Sequence, residues 1–220
     1  VPPRPRIKFC GITGLDDAER AVEAGAWAIG LVLWSGSARR CPLDEAERIA
    51  AALRRRVEVA GVFFNAPLDE VAAVIEGVGL TMAQLHGDEG PAFCAEVARR
   101  TGAKVIKAAR VATRADVTAL ETFHTDFHLL DAFRPGQPGG TGETFDWQLA
   151  HLRRTSVPLV LSGGLTPENV AAAIEATHPF AVDVASGTEA SPGVKDPERL
   201  RAFAAAVAGE AAGEAAGEPW

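Results

Sequence analysis

The chain has 220 residues, 47% hydrophobic and 23% charged, with 22 Lys and Arg against 29 Asp and Glu for a formal net charge of −7. Such a length and composition fit one globular domain that buries its own core; they exclude global disorder, and no apolar run approaches the ~20 residues of a membrane-spanning helix. An acidic chain without a concentrated basic face also matches a nucleic-acid backbone poorly, although a few local donors can still hold a small anion.

Short apolar runs rich in β-branched residues alternate with amphipathic stretches along the chain. RIKFC (6–10) is the first predicted strand and ends in Cys10-Gly11; a helical pattern covers 15–24. WAIGLVL (27–33) leads through a long loop carrying Arg39 and Arg40 to a helix at 43–55 with Asp44 early in it. VEVAGVF (57–63) is followed by Pro67 and a helix at 68–77. MAQLH (82–86) runs into Gly87-Asp88 before a helix at 91–101, and KVIKA (104–108) carries Lys107 near its end before a helix at 113–122. FHLLDA (127–132) places Asp131 at its end, with a helix predicted at 145–153. PLVLS (158–162) runs into Ser162-Gly163-Gly164, where Thr166-Pro167-Glu168 predicts an N-cap and a first-turn proline for a helix at 167–177. AVDVA (181–185) leads to Ser186-Gly187 and a last helix at 197–208. The closing GEAAGEAAGEPW is a Gly-interrupted repeat with nothing large to bury before Trp220. The expected organisation is a domain over 1–208 and a flexible tail over 209–220.

Strands separated by helices imply parallel pairing through crossovers. Eight such units leave a closed (β/α)8 TIM barrel or an open doubly wound sheet. The open sheet usually shows a GxGxxG turn after its first strand, which Cys10-Gly11-Ile12-Thr13-Gly14 does not match. The expected fold is therefore a single α/β barrel, and its chemistry belongs at the C-terminal strand ends.

One thiol, one carboxyl and two Gly-bearing loops converge there. Alternation puts Lys8 and Cys10 on one face of their strand, and likewise Gln84 and His86 on one face of theirs. The backbone N–H groups of Gly163-Gly164, with Ser186-Gly187 in the neighbouring loop, suit a phosphate. Lys8 and Asp183 fall mid-strand on strands that become neighbours when the barrel closes, so an interior ion pair is expected. Taken alone, each has a plainer reading: Cys10 as a small core residue, Asp131 as a cap or a partner of Arg134, His86 as a lining residue, Arg39 and Arg40 as a solvated pair. The three cysteines form no CxxC and no metal-like spacing, and the first residues lack an apolar signal core. A cytoplasmic protein without a metal site is the expectation.

KFCGIT (8–13), GLVLWSGSAR (30–39), AGVFFN (60–65), AQLHGDE (83–89), LLDAFRPGQPGGTGETFDW (129–147), LSGGLTPENV (161–170) and VDVASGTEASPGVKD (182–196) stand in order at successive strand ends. Together they resemble the phosphoribosylanthranilate isomerase family over about residues 6–206. The resemblance implies an Amadori rearrangement of N-(5′-phosphoribosyl)anthranilate in tryptophan biosynthesis, with no cofactor and no macromolecular partner beyond a second copy of the chain, as monomer or homodimer. It makes Cys10 the general base and Asp131 the general acid, and gives the anthranilate carboxylate to Arg39. It gives Gly163, Gly164, Ser186 and Gly187 to the phosphate, while Gln84, His86 and Asp183 are expected from their own placement to face the rest of the substrate. Gly139 to Gly142 resemble a mobile loop after the sixth strand. In this chain Ala38 replaces the family's proline before Arg39, and Arg40 replaces an aromatic.

The chemistry predicts a Cys10 pKa lowered by local positive potential and an Asp131 pKa raised by burial or a like charge. Three rival readings remain: a Schiff-base aldolase using Lys107, a phosphate-binding barrel without catalysis, and a dual-specificity isomerase shared with histidine biosynthesis.

Overall fold

Eight parallel strands close on themselves in the computed structural model, which describes residues 4–132 and 146–209. In chain order they are β1 (Arg6–Cys10), β2 (Ala28–Val32), β3 (Glu58–Phe63), β4 (Met82–Leu85), β5 (Lys104–Val111), β6 (Phe127–Ala132), β7 (Leu159–Leu161) and β8 (Ala181–Val184). Each pairs with the next, and β1 closes the ring on β8 in a register that sets Lys8 opposite Asp183.

The helices are α1 (Leu15–Glu23), α2 (Leu43–Leu53), α3 (Leu68–Val78), α4 (Pro91–Thr101), α5 (Arg114–Ala119) and α6 (Val170–Thr177) in the crossovers, and α7 (Pro197–Ala208) after the last barrel strand. α2 shows why such segments fold as they do. Ala46, Ile49, Ala50 and Leu53 fall at helical spacing and are buried, while Asp44 and Glu45 occupy the first turn, where the helix dipole favours negative charge. Among the described residues no helix is long and apolar enough to cross a membrane.

Three predicted helices differ from the structure. The one expected at 113–122 ends as α-helix at Ala119 and finishes in a 3-10 turn, Leu120–Thr122. The one expected at 145–153 is a 3-10 helix over Trp147–Leu152. The one expected from 167 begins at Val170. There the Asn169 side chain accepts from Thr166 N (2.8 Å) and donates to Gly164 O (2.9 Å), which holds the intervening residues in a turn. The expected helix start at Thr166-Pro167-Glu168 is thus displaced by the loop's own hydrogen bonds. Gly139 to Gly142 and residues 210–220 lie outside the described residues.

Alternation along the strands divides the apolar residues into two layers. Outward-facing Phe9, Ile29, Leu31 and Val59 pack under the helices, with Phe9 edge-on to Phe203 of α7 at 6.0 Å. Each such buried side chain stabilises the fold by roughly 1.5–3 kcal/mol. Inward-facing Ala28, Ala60, Met82, Ile106, Leu129 and Val160 fill the lower barrel. Above them the interior turns polar. Between β8 and α7 the chain makes a 3-10 turn (Ser186–Thr188) and an antiparallel hairpin of β9 (Glu189–Ser191) and β10 (Val194–Lys195).

Candidate active site

Cys10 lies at the top of β1, facing a cavity ringed by the C-terminal strand ends. One step below it, Lys8 is fully buried, and its Nζ donates to Asp183 Oδ1 across the β1–β8 seam at 2.7 Å. The other Asp183 oxygen accepts from Ser162 Oγ at 3.1 Å, so the carboxylate is engaged on both sides. The predicted ion pair is present. Room for it comes from β2: a Cβ on Gly30 would stand 2.6 Å from Cys10 Sγ and 2.9 Å from Lys8 Nζ. Glycine within a strand commonly marks such close approach.

Burial pushes the Cys10 thiol above its ordinary range, with Asp183 adding to the rise while Lys8 and Lys195 pull downward. The expectation of a lowered thiol pKa therefore needs correction. The positive groups are there, but removing the thiolate from water outweighs them. Burial alone would also lower Lys8, yet Asp183 and Cys10 hold it above its ordinary value.

Asp131, at the end of β6, is buried and lines the same cavity. Its Oδ1 accepts from Ala132 N at 2.9 Å, and its Oδ2 stands 3.3 Å from His86 Nε2. His86 Nδ1 lies 3.1 Å from Gln84 Nε2, as the shared face of β4 predicts. Gln84 Oε1 and His86 Nε2 are buried without a hydrogen-bond partner among the described residues. An orphaned buried polar atom costs roughly 1–3 kcal/mol, and a ligand's hydroxyl groups would satisfy both.

Arg39 reaches the cavity from the loop after β2 but is not free. Glu189 of β9 holds it bidentately, with Nε to Oε1 at 2.8 Å and Nη2 to Oε2 at 2.8 Å. Trp34 and Phe64 form an aromatic wall nearby, their ring centroids 5.1 Å apart. Arg40, its sequence neighbour, is exposed and is absent from this lining.

On the far side, Gly163 and Gly164 both adopt positive φ (90° and 62°) and, with Ser186, line the cavity. A Cβ on Gly187 would overlap the carbonyl of Leu165, so this glycine lets the two loops touch. The arrangement is a cradle of backbone between adjacent loops, suited to an oxyanion.

The predicted site residues thus gather at one mouth, with Gly187 behind the lining. Lys107 does not join them. Its Nζ is spent on Glu89 Oε2 (2.9 Å) and Gly87 O (2.6 Å) outside this cavity, which removes the geometric basis for the Schiff-base reading. Gly30, Trp34, Phe64 and Glu189 belong to the site and escaped the sequence reading. The glycine inside an apolar strand was the one local signal. Among the described residues, no three His, Cys, Asp or Glu side chains gather as metal ligands.

Comparison with known proteins points in one direction. The family described as N-(5'phosphoribosyl)anthranilate (PRA) isomerase matches residues 7–206. A relative from Rubrobacter xylanophilus bearing the name N-(5'-phosphoribosyl)anthranilate isomerase is 47% identical over 203 residues, covering 92% of this chain and 98% of its own. One of the same name from Citrifermentans bemidjiense is 46% identical over 200 residues, covering 91% and 95%. Among solved structures, a phosphoribosyl anthranilate isomerase from Thermotoga maritima superposes with a TM-score of 0.83 at 40% identity, covering 93% of this chain and 99% of its own. Another, at TM-score 0.80, 39% identity and coverage of 93% and 99%, is a complex with reduced 1-(o-carboxyphenylamino)-1-deoxyribulose 5-phosphate.

Proposed function

Since the chain belongs to the N-(5′-phosphoribosyl)anthranilate isomerase family, we propose from that premise which of its side chains carry the reaction. The protein catalyses the aldose–ketose isomerisation of N-(5′-phosphoribosyl)anthranilate to 1-(2-carboxyphenylamino)-1-deoxyribulose 5-phosphate in tryptophan biosynthesis. In our reading Asp131 is the general acid and Cys10 the general base. The observation that carries this is their placement: β6 and β1 stand three strands apart around the ring, so the two groups face one cavity from different sides.

Asp131 gives its proton to the furanose ring oxygen as the C1′–O bond breaks, and the nitrogen lone pair forms a protonated imine. Cys10 first loses its thiol proton to solvent, and the thiolate then removes the C2′ proton; the electron pair forms the C1′–C2′ double bond and neutralises the nitrogen. The enolamine becomes the ketone when its C2′ hydroxyl proton passes to the Asp131 carboxylate and the Cys10 proton to C1′. Both groups end as they began once the thiolate regains a proton from solvent. The thiolate forms beside the Lys8 ammonium, whose charge is stationed there before substrate arrives.

Gln84 and His86 take the sugar hydroxyls, Arg39 the carboxylate, and the aromatic pair Trp34 and Phe64 the anthranilate ring. The Gly163-Gly164 and Ser186-Gly187 loops take the phosphate. Asp183 acts chiefly through Lys8. Every group named comes from one chain, so the chemistry asks for no partner subunit. Three buried, unpaired thiols accord with a reducing cytoplasm.

The test is turnover of the purified protein and its C10S and D131N variants, each checked for binding of the reduced product analogue. We expect each variant to lose at least a thousandfold in kcat, about 4 kcal/mol of barrier, with analogue binding kept within a few fold. A C10S protein retaining more than a tenth of turnover places the base elsewhere.

A further inference from the structure

The guanidinium of Arg39 carries five N–H donors along two forked edges, a side edge (Nε and one hydrogen of Nη2) and an end edge (Nη1 and the other hydrogen of Nη2). Glu189 occupies the whole side edge, with Nε 2.8 and 3.1 Å from its two oxygens and Nη2 at 2.8 Å. Among the described residues nothing accepts from the end edge, and Arg39 lines the cavity while Glu189 does not. Glu189 is itself fixed. Its side chain is 4% exposed, the buried Lys195 stands 3.5 Å from its Oε1, and its carbonyl accepts from Arg199 Nη1 at 3.1 Å. Lys195 is anchored in turn to Ala185 O (2.9 Å) and Thr188 Oγ1 (3.3 Å).

We propose that Glu189 is the positioning residue for recognition of the substrate's carboxylate: it grips Arg39 by one edge so that the opposite fork is presented to the cavity in a fixed plane. The proposal rests on the reading of Arg39 given above and adds the group that orients it. Glu189 thus meets Arg39 on one side and Lys195 on the other, so it is held from behind while the free fork of Arg39 stays open to an aromatic carboxylate. An unheld arginine on a loop would lose side-chain freedom at each binding event, which weakens affinity. The opposite role is also physically coherent, with Glu189 competing against the substrate for Arg39. The two roles differ in sign.

The experiment compares kcat and KM for the natural substrate and for the aniline analogue that lacks the carboxylate, in wild type, E189Q, E189D and R39A. Positioning predicts that E189Q raises KM for the natural substrate at least tenfold, changes kcat less than threefold and leaves the aniline analogue unaffected. E189D keeps the charge but draws the guanidinium back by a methylene, and should lose part of the discrimination; it also supplies the answer if E189Q does not fold. A lowered KM in E189Q overturns the proposal in favour of competition. Equal losses on both substrates, or unchanged discrimination in E189Q or E189D, overturn it as well. R39A should abolish the discrimination; if R39A retains it, the reading of Arg39 fails on its own account, whatever the Glu189 variants do.

Discussion

At the N-terminal end of the barrel Trp27, Phe127 and Phe180 form a closed triangle of rings, with centroids 5.3, 5.3 and 5.2 Å apart, and Arg6 lays its guanidinium over Trp27 at 5.7 Å and Phe180 at 4.9 Å. At the C-terminal end the barrel holds a lysine, a thiol, two carboxylates and an imidazole, all but the imidazole buried. The lower end is closed by contacts that need no particular protonation state and gain from every apolar atom covered. The upper end concentrates desolvated charge, which holds only because each charge has a partner, and it leaves two polar atoms unmet. Stability and chemistry are thus separated along one axis of one barrel.

The largest expected effects lie at the extremes. Against the thousandfold loss of turnover expected for C10S with little change in Tm, F127A should do the reverse. Removing that ring should cost about 3–5 kcal/mol of stability while kcat and KM at a permissive temperature stay within twofold. Urea unfolding alongside steady-state kinetics measures both, and a tenfold change in kcat/KM for folded F127A breaks the separation. G30A sharpens it with a smaller effect. Its new methyl presses on the Cys10 thiol and the Lys8 ammonium, so kcat should fall roughly tenfold to a hundredfold, about 1.4–2.7 kcal/mol, with stability reduced by about 1–3 kcal/mol of overpacking strain.

The smallest effect concerns His128 on β6, which is buried and donates from Nε2 to Phe123 O at 2.8 Å. Burial, with Arg153 and His124 adding, lowers its pKa to about 4 from 6.5. The unfolded chain therefore takes up this proton first as pH falls. The stability contribution is complete above pH 6.5 and is lost between 6.5 and about 4, at no more than about 1.4 kcal/mol per pH unit. Urea midpoints across that range should be flatter for H128Q than for wild type, and an unchanged slope assigns the titration to another group.

All eight barrel strands could be read from the sequence because strands of a buried parallel sheet are short, continuous apolar runs rich in β-branched residues, whereas the short β9 and β10 carry no such run. The helices were less exact where side chains override pattern: Asn169 delays α6, and the segment over Trp147–Leu152 tightens to 3-10 geometry. In the site, groups at strand ends were legible because topology alone puts them at the mouth. Glu189 was not, since its partner Arg39 stands 150 residues away and no local pattern links them. Nor was the direction of the Cys10 shift, which depends on how completely the thiol is desolvated.

The Lys8–Asp183 bond joins residues 175 positions apart. Two further ties, Thr13 Oγ1 to Gly193 O at 2.6 Å and Lys195 N to Asp17 Oδ2 at 2.8 Å, span 180 and 178. The first and last β/α units are therefore stitched by contacts of very long sequence separation, whose loop-closure entropy is met only when the ring shuts. A growing chain carries Cys10 once β1 has been made but has no carboxylate for Lys8 until β8 has been made and docked. Turnover in this molecule is accordingly a report on ring closure, because only the docked β8 gives Lys8 the carboxylate that holds its charge beside the thiol.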